Sequence, residues 1–148
     1  AALAAFDADA RTRAEREEWA NALTHGAGLV ASLAAGGALL VLAIRTRDPW
    51  LVGGTIVYAL SLVVLYAAST AYHVARHPPL KHRLRVLDHC AIFGLIAGTY
   101  TPFTLGALRE SVGWSLFALT WGIAALGIVA KLFLTGRFHR LSTALYVA

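Results

Sequence analysis

The sequence predicts an all-α protein, a bundle of helices that crosses a membrane several times. Hydrophobic residues make up 58% of its 148 positions and charged residues only 14%, whereas soluble domains usually carry about 25% charged residues. The charges are also clustered, and they leave four stretches without Asp, Glu, Lys or Arg, namely residues 19–44, 49–75, 89–108 and 111–130. Each stretch is long enough for one helix across a ~30 Å hydrocarbon core, which takes about 20 residues.

The first element is an N-terminal segment, residues 1–18, which we predict to be a cytoplasmic interfacial helix. Its charges alternate in sign, and Arg11 and Glu15, like Arg13 and Glu17, are spaced i to i+4, as ion pairs on a solvated helix are. A transmembrane domain then occupies residues 19–148.

Four full transmembrane helices are predicted within this domain, followed by the start of a fifth. Their expected ranges are 23–44, 50–74, 86–105 and 114–134. A basic loop is expected at 76–85, where Pro78 and Pro79 break the helix, and Pro102 is expected to kink or end the third helix. The fifth apolar run covers only residues 141–148, too few to cross a membrane, so we expect a longer protein whose C-terminal part lies beyond this sequence.

The distribution of Lys and Arg orients the bundle. With the N-terminus in the cytoplasm, ten of these residues lie inside and three lie outside, which are Arg45, Arg47 and Arg109. Such a bias is typical of the cytoplasmic side, so the sequence predicts a multi-pass protein of the plasma (inner) membrane with a cytoplasmic N-terminus. The basic residues sit in short connections and form no face for a duplex, so we expect membrane lipids as partners and no nucleic acid.

Small residues recur every four positions on two of the predicted helices, at Gly28, Ser32 and Gly36 and at Gly94 and Gly98. Helices in a membrane approach closely where side chains are small. We therefore expect helix contacts at these positions.

Polar side chains gather at the cytoplasmic ends of three predicted helices. Ser69 and His73 are spaced i to i+4 and share a helix face. A carboxylate inside a membrane segment is costly and indicates function, so Asp88 is a candidate functional-site residue. The supporting candidates are Glu18, Asn21, His25 and His89. A simpler interpretation stays open, because each residue lies within about two turns of an interface that a polar side chain can reach.

Four runs of sequence resemble the haemolysin III family. They are EWANALTH at 18–25, LYAASTAYH at 65–73, LDHCAIF at 87–93 and AGTYTPF at 97–103. That family is similar to the progestin and adiponectin receptor-like (PAQR-like) proteins and, more distantly, to the alkaline ceramidases.

The resemblance implies seven transmembrane helices and a zinc ion. It implies that His73 is a metal ligand together with two histidines of a His-x-x-x-His pattern in the last helix, which these 148 residues do not contain. It further implies two catalytic residues, Asp88, which binds or activates the metal's water, and Ser69, which helps to orient it. A catalytic zinc normally has three protein ligands and a water, so this chain holds one of the three implied ligands.

Three functions are compatible with these observations. The leading hypothesis is a zinc-dependent intramembrane hydrolase of lipid amide or ester bonds. The second is a receptor-like or regulatory membrane protein in which zinc is structural. The third is a pore-forming cytolysin, which the sequence disfavours because the second and fourth helices are almost uniformly apolar at mid-membrane and offer no polar lining.

Overall fold

In a computed structural model, the chain is a row of four α-helices joined by short connections. Their ranges are Ala2–Arg45 (α1), Pro49–Val74 (α2), Pro78–Leu105 (α3) and Trp114–Leu134 (α4), with a π-helical turn at Arg109–Gly113. The structure describes the backbone of residues 2–134 and the side chains of residues 9–133, and this part contains no β-strand. The all-α fold class is confirmed, and the apolar run at 141–148 lies outside the described residues.

Three of these helices are long and apolar enough to cross a membrane, over Asp9–Arg45, Pro49–Val74 and Arg109–Phe133. Helix α3 has the length, with 28 residues, but its first half carries Lys81, Arg83, Arg85 and Asp88. A membrane crossing by α3 therefore stays a prediction.

The N-terminal segment and the first predicted transmembrane helix form one continuous helix of 44 residues. No Pro or Gly lies between Glu18 and Leu23 to separate them. In the polar part, Arg13 pairs with Asp9, four residues before it, rather than with Glu17.

The prediction of a basic loop at 76–85 is wrong for most of its length. Helix α3 begins at Pro78 rather than at 86, and only residues 75–77 connect it to α2. Proline suits the first turn of a helix, because its fixed φ is helical and its missing N–H has no partner to lose there. Lys81 and Arg85 are consequently held on the first turns of α3.

Pro102 lies inside α3 without ending it, since the helix continues to Leu105. At this level α2 and α3 approach closely: a Cβ atom added to Gly54 would lie 2.7 Å from the Pro102 Cα atom.

Each helix packs against its neighbours in sequence, so α1 and α3 flank α2 and α4 lies beyond α3. The buried positions between them are mostly small, and they include Ala22, Ala43, Ala68, Ala97, Ala124, Ser32, Thr55, Ser69, Thr101 and Thr104. Large apolar side chains face outward instead, as do Leu126 and Phe133, which are 71% and 80% exposed. This pattern suits lipid, where close packing rather than water exclusion joins helices.

The predicted small-residue contacts are confirmed on α1 and in part on α3. Gly28 lies against the Tyr66 ring and Gly36 against Ala59 of α2, while Gly98 lies against Ser61. Gly94 faces open space among the described residues.

Candidate functional site at the His73 end

Polar side chains from three helices meet at one end of the bundle, which we call the His73 end. On α1, Glu18 and His25 are seven residues apart, two helical turns on one face. On α2, Ser69 and His73 share a face one turn apart, and the early start of α3 adds Lys81. These five residues are named here the histidine cluster.

A carboxylate lies at the centre of one half of the cluster. The His73 Nδ1–H donates a hydrogen bond to Glu18 Oε2 at 2.9 Å, and Lys81 Nζ lies 2.9 Å from the same oxygen. Glu18 thereby joins α1 to both α2 and α3. In a neutral imidazole, the hydrogen bond to the carboxylate places the proton on Nδ1 and leaves Nε2 with its lone pair.

The other half of the cluster pairs a histidine with a buried serine. His25 Nδ1 lies 2.5 Å from the Ser69 hydroxyl, and Ser69 is only 3% exposed. The rings of His25 and His73 meet edge to face with centroids 5.4 Å apart, and the Tyr72 ring lies 4.7 Å from that of His73. The two halves are therefore in direct contact.

Asn21, Asp88 and His89 lie outside this network. Asn21 is exposed, and no hydrogen bond joins its side chain to the cluster within the part of the chain that the structure describes. Asp88 is half-buried, and among the described residues no hydrogen bond or ion pair joins its carboxylate to His73. His89 Nδ1 turns back to the Arg85 carbonyl oxygen on its own helix, at 2.5 Å.

Lys81 is the member of the cluster that sequence reasoning missed. Its signal was the Pro78-Pro79 pair, interpreted as a break although proline also favours the first turn of a helix. A helix that starts at Pro78 carries Lys81 on its first turn, next to the end of α2.

A cavity of about 270 Å³ opens on the cluster at its outer side. Its lining includes Glu18, His73 and Lys81, together with Trp19 and Arg76. The Arg76 guanidinium lies 5.6 Å from the centre of the Trp19 ring. The site is therefore accessible from the end of the bundle.

The cluster fits one ligand of a metal site but not a complete one. Within residues 9–133, whose side chains the structure describes, no three His, Cys, Asp or Glu side chains are arranged to hold a metal ion. The contact that does fit is the bond from His73 to Glu18, because metal-ligating histidines usually donate their other ring N–H to a carboxylate or carbonyl oxygen. The orientation of the His73 ring is therefore compatible with a metal ligand, although the described residues supply no complete set of ligands.

Known proteins resemble this chain over most of its length. The sequence profile of the family described as Haemolysin-III related matches residues 13–148. The chain is 41% identical to the hemolysin-3 homolog of Bacillus subtilis (strain 168) over 132 aligned residues. These residues are 89% of this chain and 62% of the relative. It is 42% identical over 136 residues to hemolysin-3 of Bacillus cereus, covering 92% and 62%.

The chain therefore spans about 62% of the length of these two relatives. No solved structure matches it. The family profile matches a range that contains the histidine cluster, and the two relatives align with 89% and 92% of this chain. The chain belongs to the haemolysin III-related family.

Proposed function

We propose that the protein is a zinc-dependent intramembrane hydrolase that acts on lipid amide or ester bonds at the His73 end. The observation that carries this proposal is the hydrogen bond from His73 Nδ1–H to Glu18, which directs the lone pair of Nε2 away from the carboxylate. A half-buried histidine with this partner is arranged as metal-ligating histidines are. We assign the remaining ligands to the part of the relatives' length that this chain does not span.

Each residue of the site has a separate role in this proposal. Glu18 holds the tautomer and orientation of the His73 ring, and Lys81 balances the charge of Glu18. Ser69 and His25 fix α2 against α1 beside that ring. A zinc ion, when bound, supplies polarisation of the scissile carbonyl and a water that ionises near neutral pH. Asp88 is the residue to which we assign proton transfer, as the family resemblance implies.

We also propose that the His73 end faces the cytoplasm of a cell whose inner membrane holds the protein. Eight Lys and Arg residues of the described part lie toward this end, namely Arg11, Arg13, Arg16, Arg76, Lys81, Arg83, Arg85 and Lys131. Three lie toward the opposite end. Such an imbalance orients helical membrane proteins with the basic side inward. Reporter fusions after Arg76 and after Arg47 test this, and an external reporter signal at Arg76 would reverse the orientation.

The hydrolase proposal is tested on the full-length protein by measuring zinc content beside the release of fatty acid from a panel of lipid amides and esters. His73→Ala should lose both metal and activity, because a ligand is removed. Asp88→Asn should keep the metal and lose about 10²- to 10⁴-fold in rate, the usual cost of removing a general base. A protein that binds zinc stoichiometrically and hydrolyses none of the panel would support a structural zinc instead. Full activity in Asp88→Asn would remove the role of Asp88.

A further inference from the structure

A second cavity lies beside the histidine cluster, where α2 meets the start of α3. It has a volume of about 270 Å³ and is lined by Tyr72, Arg76, Pro78, Lys81, His82 and Arg85. We call it the basic cavity. Arg76 and Lys81 also line the cavity that opens on His73, so these two residues border both spaces.

All the charged side chains that line the basic cavity are positive. Three permanent cations and a histidine line it, and no Asp or Glu is among its lining residues. Arg76, His82 and Arg85 are exposed. Helix α3 begins at this point and has no acidic residue in its first turn, so the partial positive charge of the helix N-terminus adds to that of the side chains. A concave surface with this charge attracts an anion.

Two of the cations are already held in place by aromatic rings. The Arg76 guanidinium lies over Trp19, and Lys81 Nζ lies 4.9 Å from the centre of the Tyr72 ring. Lys81 also contacts Glu18, but an ammonium group has three donors and keeps others for a second partner. Side chains that are placed before binding lose less conformational entropy when they bind.

We propose that the basic cavity binds the phosphate group of an anionic lipid head group. Arginine presents a planar fork of N–H donors that matches phosphate oxygens, and the cavity contains two arginines. The cavity lies at the end of helices whose apolar side chains face outward, which is the depth of lipid head groups. A free phosphate ion shares this chemistry, but it lacks the acyl chains that the surrounding apolar surface accommodates.

A lipid held in this way has its acyl linkages next to the cavity that opens on His73, because Arg76 and Lys81 are common to both spaces. The inference would then define phospholipids as the substrate class of the proposed hydrolase. It goes beyond hydrolysis, however, since lipid binding can be measured without turnover.

The experiment compares two lipids with the same acyl chains, dioleoylphosphatidylglycerol and dioleoylglycerol, which lacks the phosphate. Native mass spectrometry of the full-length protein in detergent measures how much of each lipid is retained, with and without excess inorganic phosphate. The wild-type protein should retain the phosphatidylglycerol selectively. Equal retention of both lipids would overturn the proposal, and binding of inorganic phosphate without the lipid would overturn the lipid as its source.

Variants locate the site. The double substitution Arg76→Gln/Arg85→Gln should weaken retention about 30-fold, from roughly fivefold for each basic residue near an anionic membrane surface. The matched control is Arg45→Gln/Arg47→Gln, which removes the same charge from the opposite end of the bundle and should leave retention unchanged. Arg76→Lys/Arg85→Lys keeps the charge and should stay within a few fold of wild type, which separates loss of the site from loss of folding.

Equal weakening of lipid retention by both glutamine pairs would refute the assignment. If the wild-type protein retained phosphatidylglycerol selectively but hydrolysed no lipid, the proposed reaction would be rejected and the lipid-binding site would stand.

Discussion

The Nδ1 atom of His73 and the Oε2 atom of Glu18 are 2.9 Å apart, although the two residues are 55 positions apart in sequence. This bond ties the end of α2 to α1. In the neutral ring it also favours the tautomer with the proton on Nδ1, because an ionised carboxylate accepts hydrogen bonds and cannot donate one. Lys81 approaches the same oxygen from α3, so Glu18 is the common partner of two other helices.

The first prediction concerns Glu18 as the residue that positions His73. Glu18→Gln removes the charge that favours the Nδ1–H tautomer and breaks the ion pair with Lys81. Zinc affinity of the full-length protein should fall about 10- to 100-fold, the usual effect of losing the partner of a metal-ligating histidine. Titration against a competing chelator measures it. Glu17→Gln, at the adjacent exposed position, is the control, and equal affinities in the two variants would refute the role of Glu18.

A second prediction compares two buried serines. Ser69 contacts His25 on another helix, whereas the Ser32 hydroxyl donates to the Leu29 carbonyl oxygen on its own helix. Ser69→Ala should destabilise the protein by about 1–3 kcal/mol, because it leaves a partly buried histidine nitrogen without its partner. Ser32→Ala removes a hydroxyl of similar burial and should cost less. Thermal unfolding in detergent gives the comparison, and an equal loss in both variants would contradict it.

Charge-free stretches were sufficient to predict the helices, because lipid leaves the backbone few alternatives. The fourth helix has the bounds predicted for it, Trp114–Leu134. The start of α3 was mispredicted because Pro78-Pro79 is compatible with either a break or a first helical turn, and sequence spacing does not distinguish them. The separation predicted between the N-terminal helix and the first transmembrane helix was also wrong in this respect: no residue from Trp19 to Ala22 stops a helix, and α1 continues through them.

For the site, spacing along single helices predicted which residues share a face, and the structure brings Glu18, His25, Ser69 and His73 together. The pairing between helices was not predictable, because it depends on which face of α1 packs against α2, at Gly28 and Gly36. The sequence placed Asp88 at the same depth as His73. Depth alone does not fix the direction of a side chain around its helix, and no bond joins Asp88 to His73 among the described residues.

The third prediction concerns pH and the opposite end of the bundle. Burial of the Asp48 carboxyl group raises its pKa, but hydrogen bonds from the N–H groups of Trp50 and Leu51 and the nearby Arg109 guanidinium outweigh this and hold the pKa below its ordinary value. The folded protein therefore binds this proton less tightly than the unfolded chain does. The stabilisation is complete above the ordinary pKa of aspartate, about 3.9, and is lost as pH falls through the lower folded value.

Asp48→Asn isolates this contribution. Asparagine still caps the start of α2 but carries no charge to pair with Arg109, so stability should decrease near neutral pH and fall less steeply in acid. Glu110→Gln is the matched control, because Glu110 is 91% exposed and lies 3.8 Å from the same arginine. Thermal unfolding between neutral and acidic pH checks both variants. If the Asp48→Asn protein lost as much stability between neutral and acidic pH as the wild type does, Asp48 would not be the source of that loss.

The fourth prediction uses two adjacent glycines of α2 that differ in what faces them. A Cβ atom at Gly54 would lie 2.7 Å from the Pro102 Cα atom and 3.1 Å from the Thr101 carbonyl oxygen, whereas one at Gly53 meets nothing within 4 Å in the described structure. The atoms that face Gly54 are backbone, so they cannot rotate away as a side chain can. Gly54→Ala should therefore force α2 and α3 apart and cost about 1–3 kcal/mol.

Gly53→Ala should have the opposite sign. Alanine favours a helix over glycine by as much as ~1 kcal/mol, and at this position no clash opposes that gain. The two substitutions add the same methyl group to the same helix, so their difference in unfolding temperature reports the α2–α3 contact and not helix propensity. If Gly54→Ala matched Gly53→Ala in stability, α2 and α3 would not approach each other as closely at Pro102 as the structure has them.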